Sequence, residues 1–323
     1  MTDLMTAIDT GIEIELLNRF SVIAYTHMVF PFHLRALASV THNGPCLAIG
    51  ASRGGVPVGL AFGKLPGSVP EAHSLFVSKD ERNQGLGTAL LRRLEAEMRR
   101  LGARRVRCGY LEKPEQTPAL VRVLEKCGWP APIPHKLHAS FTVKRMLEAP
   151  FMREYELPPG YTIVPWRELT TAQRRVLEEE CENADWIPRR LRPFQYEVSL
   201  EERNSLALLH GERVVGWNII QQLQPRILTY SCSYMHPSLA PRGFIFNLYV
   251  RSVRLQARDI ADIPSACMVA PMDMKPMVAF VRRRFGPFLN GMSVVFESIK
   301  ELGDSPPDAA SCDKPDERDR RTP

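Results

Sequence analysis

The stretch best suited to chemistry is Arg82-Asn83-Gln84-Gly85-Leu86-Gly87-Thr88. It follows an apolar run that ends at Val77. It opens a segment whose apolar residues Leu86, Leu90, Leu94, Met98 and Leu101 step by three or four, the spacing of a helix. Glycines at 85 and 87 let the main chain approach a ligand closely. The first amides of a helix lack intrahelical acceptors, and the macrodipole places positive charge behind them. Such a turn suits a pyrophosphate, with Arg82 adding a charge-assisted contact and Thr88 a hydroxyl. A Gly-x-Gly pair also occurs at helix starts for tight packing alone, so the context decides. The nucleotide P-loop pattern is absent from the sequence, as are the first and third glycines of the dinucleotide fingerprint.

The elements that must hold this turn can be read around it. Residues 11–17 alternate as a strand, and an apolar helical stretch is expected over 20–40. Strand-like runs follow at 46–50, 56–63 and 72–77. Gly102 is a natural stop for the helix after the turn. Residues 105–110 read as a strand, 118–127 as a helix ending at Gly128, and 137–143 as another strand. Pro150, Pro158, Pro159 and Gly160 mark a linker, after which a strand at 161–165 and a helix at 171–182 begin again.

The second half echoes the first. The interval from Gly85 to Gly128 equals that from Gly243 to Gly286, and the intervals Gly59 to Gly85 and Gly216 to Gly243 agree within one residue. Three glycines in each half, at matched spacing between similar patterns, predict a duplicated α/β (α+β) fold. The expected division is a first domain over 1–150, a second over 151–302, and a disordered polar tail over 303–323.

Composition narrows the class. With 323 residues, 44% of them hydrophobic, the chain is long enough for two ordinary cores. The seven cysteines (Cys46, Cys108, Cys127, Cys181, Cys232, Cys267, Cys312) are dispersed and form no Cys-x-x-Cys pair, which predicts free thiols in a reducing cytoplasm and no metal site. The apolar stretch near the start is broken by Arg19, His27 and Arg35, so neither an export signal nor a membrane span is expected. A net charge of +6 suits an anionic ligand. Arg92, Arg93, Arg99 and Arg100 recur every seven residues, which predicts a solvated helix face rather than a nucleic-acid surface.

Three segments together carry a resemblance: Glu71-Ala72-His73-Ser74-Leu75-Phe76-Val77, then Arg82-x-x-Gly85-x-Gly87, then Leu124-Glu125-Lys126-Cys127-Gly128-Trp129. This resembles the GNAT family of N-acetyltransferases, well over residues 11–145 and as a degraded copy over 155–300. The resemblance implies two tandem GNAT-like domains, each a mixed, mostly antiparallel splayed sheet flanked by helices. It further implies that acetyl-CoA or another acyl-CoA is the co-substrate, with its pyrophosphate on Arg82, Asn83, Gln84, Gly85, Leu86, Gly87 and Thr88. The main chain of Leu75, Phe76 and Val77 would pair with the pantetheine arm and help polarise the thioester carbonyl.

Direct transfer to an amine also needs a base and an acid. Glu71 stands where the family often has an acidic residue, with His73 two residues on; either is otherwise a surface side chain. The family's usual tyrosine acid is replaced by Leu124 and its usual asparagine by Thr117, leaving water or Tyr110 to protonate the thiolate. Tyr110 is otherwise a packing residue. In the second half Ala240, Gly243 and Ile245 stand where Arg82, Gly85 and Gly87 do in the first, so that copy is expected not to bind CoA. Tyr230, Tyr234 and His236 are candidate acceptor contacts there, or core aromatics.

The expected activity is transfer of an acetyl, or a longer acyl, group to a primary amine of a small molecule or peptide. The apolar segment 24–40 packs on the sheet or, for a longer donor, lines a pocket for its chain. A non-catalytic acyl-CoA-binding regulator or scaffold is the alternative. A monomer or homodimer is expected, with no nucleic-acid or membrane partner.

Overall fold

The computed structural model describes residues 11–30, 33–67, 69–153 and 155–303. The tail expected over 303–323 lies outside these residues except for Gly303. The described residues fall into two compact units, one of 11–133 with 297–303, the other of 134–296. The strand that closes the first half thus belongs to the second unit from residue 134 on, and residues 297–301 of the final strand belong to the first. A linear reading cannot show this, because the hydrophobic pattern of a strand does not name its neighbour.

The first unit contains β1 (Ile12–Leu16), β2 (Cys46–Arg53), β3 (Val56–Lys64), β4 (Glu71–Val77) and β5 (Arg105–Leu111). These lie in the order β1-β2-β3-β4-β5, followed by residues 297–301 of the final strand. The first three pairings are antiparallel and β4 runs parallel to β5. One sheet face carries α1 (Leu34–Leu37) with a 3-10 segment at Ser21–Met28; the other carries α2 (Leu86–Arg100) and α3 (Thr117–Lys126). The helical stretch expected over 20–40 is therefore two short pieces. Pro31 lacks the amide a continuous helix needs, and β-branched Val22 and Ile23 weaken the first piece.

Helix α2 packs as its spacing predicts, with Leu86, Leu90, Leu91, Leu94 and Met98 buried against β2 to β5. Each such side chain contributes about 1.5–3 kcal/mol. Its arginines mostly serve the fold: Arg92 donates to the Lys126 carbonyl, Arg99 to that of Leu302, Arg100 to that of His42, and Arg93 pairs with Glu97. Within the core the Glu95 carboxylate accepts from the Trp129 indole N–H at 2.6 Å and from the Lys300 ammonium.

The second unit repeats the plan. It holds β6 (Ile133–Thr142) from residue 134 on, then α4 (Val143–Leu147), β7 (Tyr161–Pro165), α5 (Thr171–Asn183), β8 (Leu206–His210), β9 (Arg213–Gln224), β10 (Ile227–Met235), α6 (Ile245–Asp259), β11 (Ser265–Pro271), α7 (Lys275–Phe280) and the first part of β12 (Gly291–Glu301). The order is β6-β11-β10-β9-β8-β7, antiparallel except for β10 beside β11. Each half is a mixed, mostly antiparallel sheet flanked by helices, and the spacing of repeated glycines reflects a real duplication of elements. Among the described residues no helix is long and apolar enough to cross a membrane.

Candidate active site

Three local features of the first unit converge at the end of β4. The first is the turn. Arg53 at the end of β2 holds Glu81 through two hydrogen bonds of 2.8 and 2.7 Å, and this pairing keeps the Glu81 carboxyl below its ordinary range. Gln84 donates to the Asp80 carbonyl at 3.1 Å, and Arg82 Nε to that of Val77 at 3.0 Å. Asn83 (φ 63) and Gly85 (φ 86) both take left-handed conformations, which the short amide side chain and the missing Cβ tolerate. Arg82, Asn83, Gln84 and Gly85 are exposed, while the Leu86 side chain is buried and only its amide belongs to the turn. Gly85 caps α2 without a side-chain hydrogen bond. Ala89 is the first helical N–H to bond back, to the Gly85 carbonyl, so the amides of Gly85, Leu86, Gly87 and Thr88 have no acceptor within the helix.

The second feature is a parting of strands. β4 pairs with β5 only at Glu71 with Arg107 and Ala72 with Cys108. Beyond that point β4 pairs with β3 alone. The Ser78 amide bonds to the Val58 carbonyl across the β3 edge, so by alternation the polar main-chain groups of Leu75 and Val77 face the opposite edge. An extended arm with amide groups can bind there as an added strand. The second unit parts in the same way, with β10 and β11 paired from Ile227 only as far as Tyr230.

The third feature is a bulge. The β3–β4 register shifts at His73, which is the extra residue between Ala72 and Ser74. Before the bulge Ala72 packs on the α2 side; after it Leu75 and Val77 do, while Phe76 packs on the α1 side. Glu71 is paired with Arg107 at 2.7 Å and approaches His73 Nε2 at 3.5 Å. Tyr110 on β5 is half-buried against the core of α2 and α3; burial, then Cys108 and Glu112, raise its pKa, so the phenol keeps its proton at neutral pH.

Leu124 is fully buried in that same core, so the position that would hold an acidic tyrosine here serves packing. The Thr117 hydroxyl accepts the Lys113 amide at 2.8 Å and tightens the start of α3. Sequence spacing missed Arg107, His33 and the bulge. All three are long-range or register features that no periodicity encodes.

The sequence pattern of the Acetyltransferase (GNAT) family matches residues 14–129, the span that contains the turn, the parting strands and the bulge. Over residues 14–129 the chain is thus similar to a GNAT domain. Over nearly its whole length it also has a tandem GNAT fold. A tandem GNAT protein from the clavulanic acid biosynthesis pathway aligns with a TM-score of 0.67 at 18% identity, covering 91% of this chain and all of the other. A GCN5-related N-acetyltransferase from Sphaerobacter thermophilus aligns at 0.62 and 16% identity, covering 90% of this chain and 96% of the other. The glucosamine N-acetyltransferase region of a fungal multi-domain β-N-acetylglucosaminidase aligns at 0.59 and 12% identity, covering 90% of this chain but 38% of that one. No curated protein sequence matches the chain.

In the second GNAT-like half the corresponding turn differs. Gly243 keeps a left-handed φ of 74, but Ile245 opens α6 where Gly87 stands in the first half. On the sheet of this half Trp217 is fully buried, and Tyr234 donates to the Trp186 carbonyl at 2.6 Å. Tyr230 lies in the core with its hydroxyl on Gln256, and His236 caps the following turn through Ser238. Tyr230 therefore serves the core and is closed to an acceptor.

Proposed function

We propose that the first GNAT domain is an acyl-CoA-dependent N-acyltransferase that moves an acetyl, or a longer acyl, group directly to a primary amine of a small molecule or peptide. The observation that carries this reading is the exposed turn with its unmatched helix amides, placed beside a β4 edge that β5 has left open. The diphosphate of acyl-CoA sits on the amides from Arg82 to Thr88. Its pantetheine arm lies along Leu75, Phe76 and Val77. Main-chain dipoles there stabilise the oxyanion as the amine adds to the thioester carbon. Glu71 belongs to the base side of the site, and the protonated Tyr110 phenol supplies the thiolate with a proton as the carbon–sulfur bond breaks.

A second reading, an acyl-CoA-binding scaffold without turnover, is favoured by Leu124 and Thr117, both committed to structure. Thiol release from acetyl-CoA across a panel of amines separates the two. Amine-dependent release supports the enzyme; tight acyl-CoA binding with no release on any amine supports the scaffold. Free thiols at every described cysteine suit a cytoplasmic location.

A further inference from the structure

We infer that His73, rather than Glu71, takes the proton from the acceptor amine, and that Glu71 is the residue that positions it. The inference rests on the acyl-transfer reading above and names the base within that same site.

Three observations coincide at this side chain. His73 is the bulged residue of β4, and it directly follows the last residue that β4 pairs with β5. Bulges near a strand's parting point re-aim a single side chain. Glu71 is already engaged: Arg107 holds its carboxylate at 2.7 Å and also approaches Glu297 at 3.6 Å. That contact with Arg107 fixes the orientation of the Glu71 carboxylate beside His73. The same carboxylate lies 3.5 Å from His73 Nε2, and the two side chains retain 22% and 20% exposure, enough for a small amine to reach the imidazole.

The groups around the ring come from every neighbouring element: Glu71 on its own strand, Lys64 on β3, Arg107 on β5, and His33 just before α1 at 4.8 Å between ring centroids. Burial lowers the His73 pKa first; Glu71 opposes this, and Lys64 and Arg107 add to it. His33 is pushed down to about 4, by burial first and then by His73 and Lys64. It is 4% exposed, so it supports the ring without competing for the proton. Both imidazoles are neutral at pH 7. With Nε2–H turned to Glu71, Nδ1 is the accepting atom.

In the step itself, the ammonium proton passes to His73 Nδ1 as the nitrogen lone pair forms the bond to the thioester carbon. The tetrahedral intermediate then collapses: the carbon–sulfur bond breaks, the nitrogen gives up its second proton, and the thiolate takes one from the Tyr110 phenol, which regains the nitrogen's proton through solvent. The imidazolium returns its proton to solvent. Glu71 stabilises it meanwhile.

The test uses the full chain, wild type and the variants His73→Gln and Glu71→Gln. Thiol release gives kcat across pH 5–9, and calorimetry gives acetyl-CoA affinity. His73→Gln is expected to lower kcat about 100-fold or more, leave acetyl-CoA affinity within twofold, and remove the acid limb of the kcat profile. Glu71→Gln is expected to lower kcat about tenfold and move that limb to lower pH, since the charge that raises the His73 pKa is gone. The His73 ring titration, followed by NMR in the wild type, must coincide with the kinetic limb. An active His73→Gln with its acid limb intact overturns the assignment, as does an NMR titration that misses the limb. A wild type that binds acetyl-CoA yet releases no thiol with any amine overturns the acyl-transfer reading itself, a distinct result.

Discussion

Replacing Gly87 by isoleucine, the residue at the matching position of the second half, should raise the acyl-CoA dissociation constant at least tenfold. A Cβ built at Gly87 meets Val123 Cγ2 at 3.5 Å, Val77 Cγ2 at 3.7 Å and Leu75 Cδ2 at 3.9 Å, all ordinary contacts. Alanine therefore fits, and in a first helical turn it gains up to about 1 kcal/mol of helix propensity. The γ carbons of isoleucine lie about 1.5 Å further out. Toward those three walls this leaves too little room, so the branch turns to the open side that the diphosphate must approach.

Tenfold weaker binding corresponds to about 1.4 kcal/mol, less than one blocked charge-assisted amide contact and the displacement of its neighbours. Calorimetry with acetyl-CoA on wild type, Gly87→Ala and Gly87→Ile reads the result, with thermal unfolding as the control for folding. The expected order is near-equal affinity for wild type and alanine, and a tenfold or greater loss for isoleucine. Equal affinity for all three would refute the placement of the diphosphate.

Gly85 supplies a contrast, because nothing lies within 4 Å of its absent Cβ, yet its φ of 86 disfavours any L side chain; Gly85→Ala should cost about 1–2 kcal/mol of stability by thermal unfolding. Leu124→Tyr, which restores a tyrosine to that position, should destabilise by about 2–4 kcal/mol in urea, since a larger ring and an unpaired hydroxyl enter a fully buried site. Lys300→Met should cost about 3 kcal/mol by leaving the Glu95 carboxylate short of its cation, and the double variant with Glu95→Gln should recover most of that loss in a double-mutant cycle. Tyr110→Phe should lower kcat about tenfold with acetyl-CoA affinity unchanged; an unaltered kcat would remove Tyr110 from the proton path.

Short-range pattern along the chain was enough to reveal the local parts. Leu86 to Met98 declare a helix because its buried stripe is a short-range period. Gly85 declares a left-handed cap because only the backbone is involved, and the duplication shows because glycine positions repeat along the chain. How those parts meet became visible only in the folded chain. No periodicity announces that β4 leaves β5 after Ala72, that an extra residue at His73 turns the strand, or that Arg107 claims Glu71, since each depends on strand register between distant segments. The same holds for Leu124 and Lys300: burial and a carboxylate partner belong to the packed core, where residues far apart in the chain share one low-dielectric space, so their roles emerge only once that core has closed.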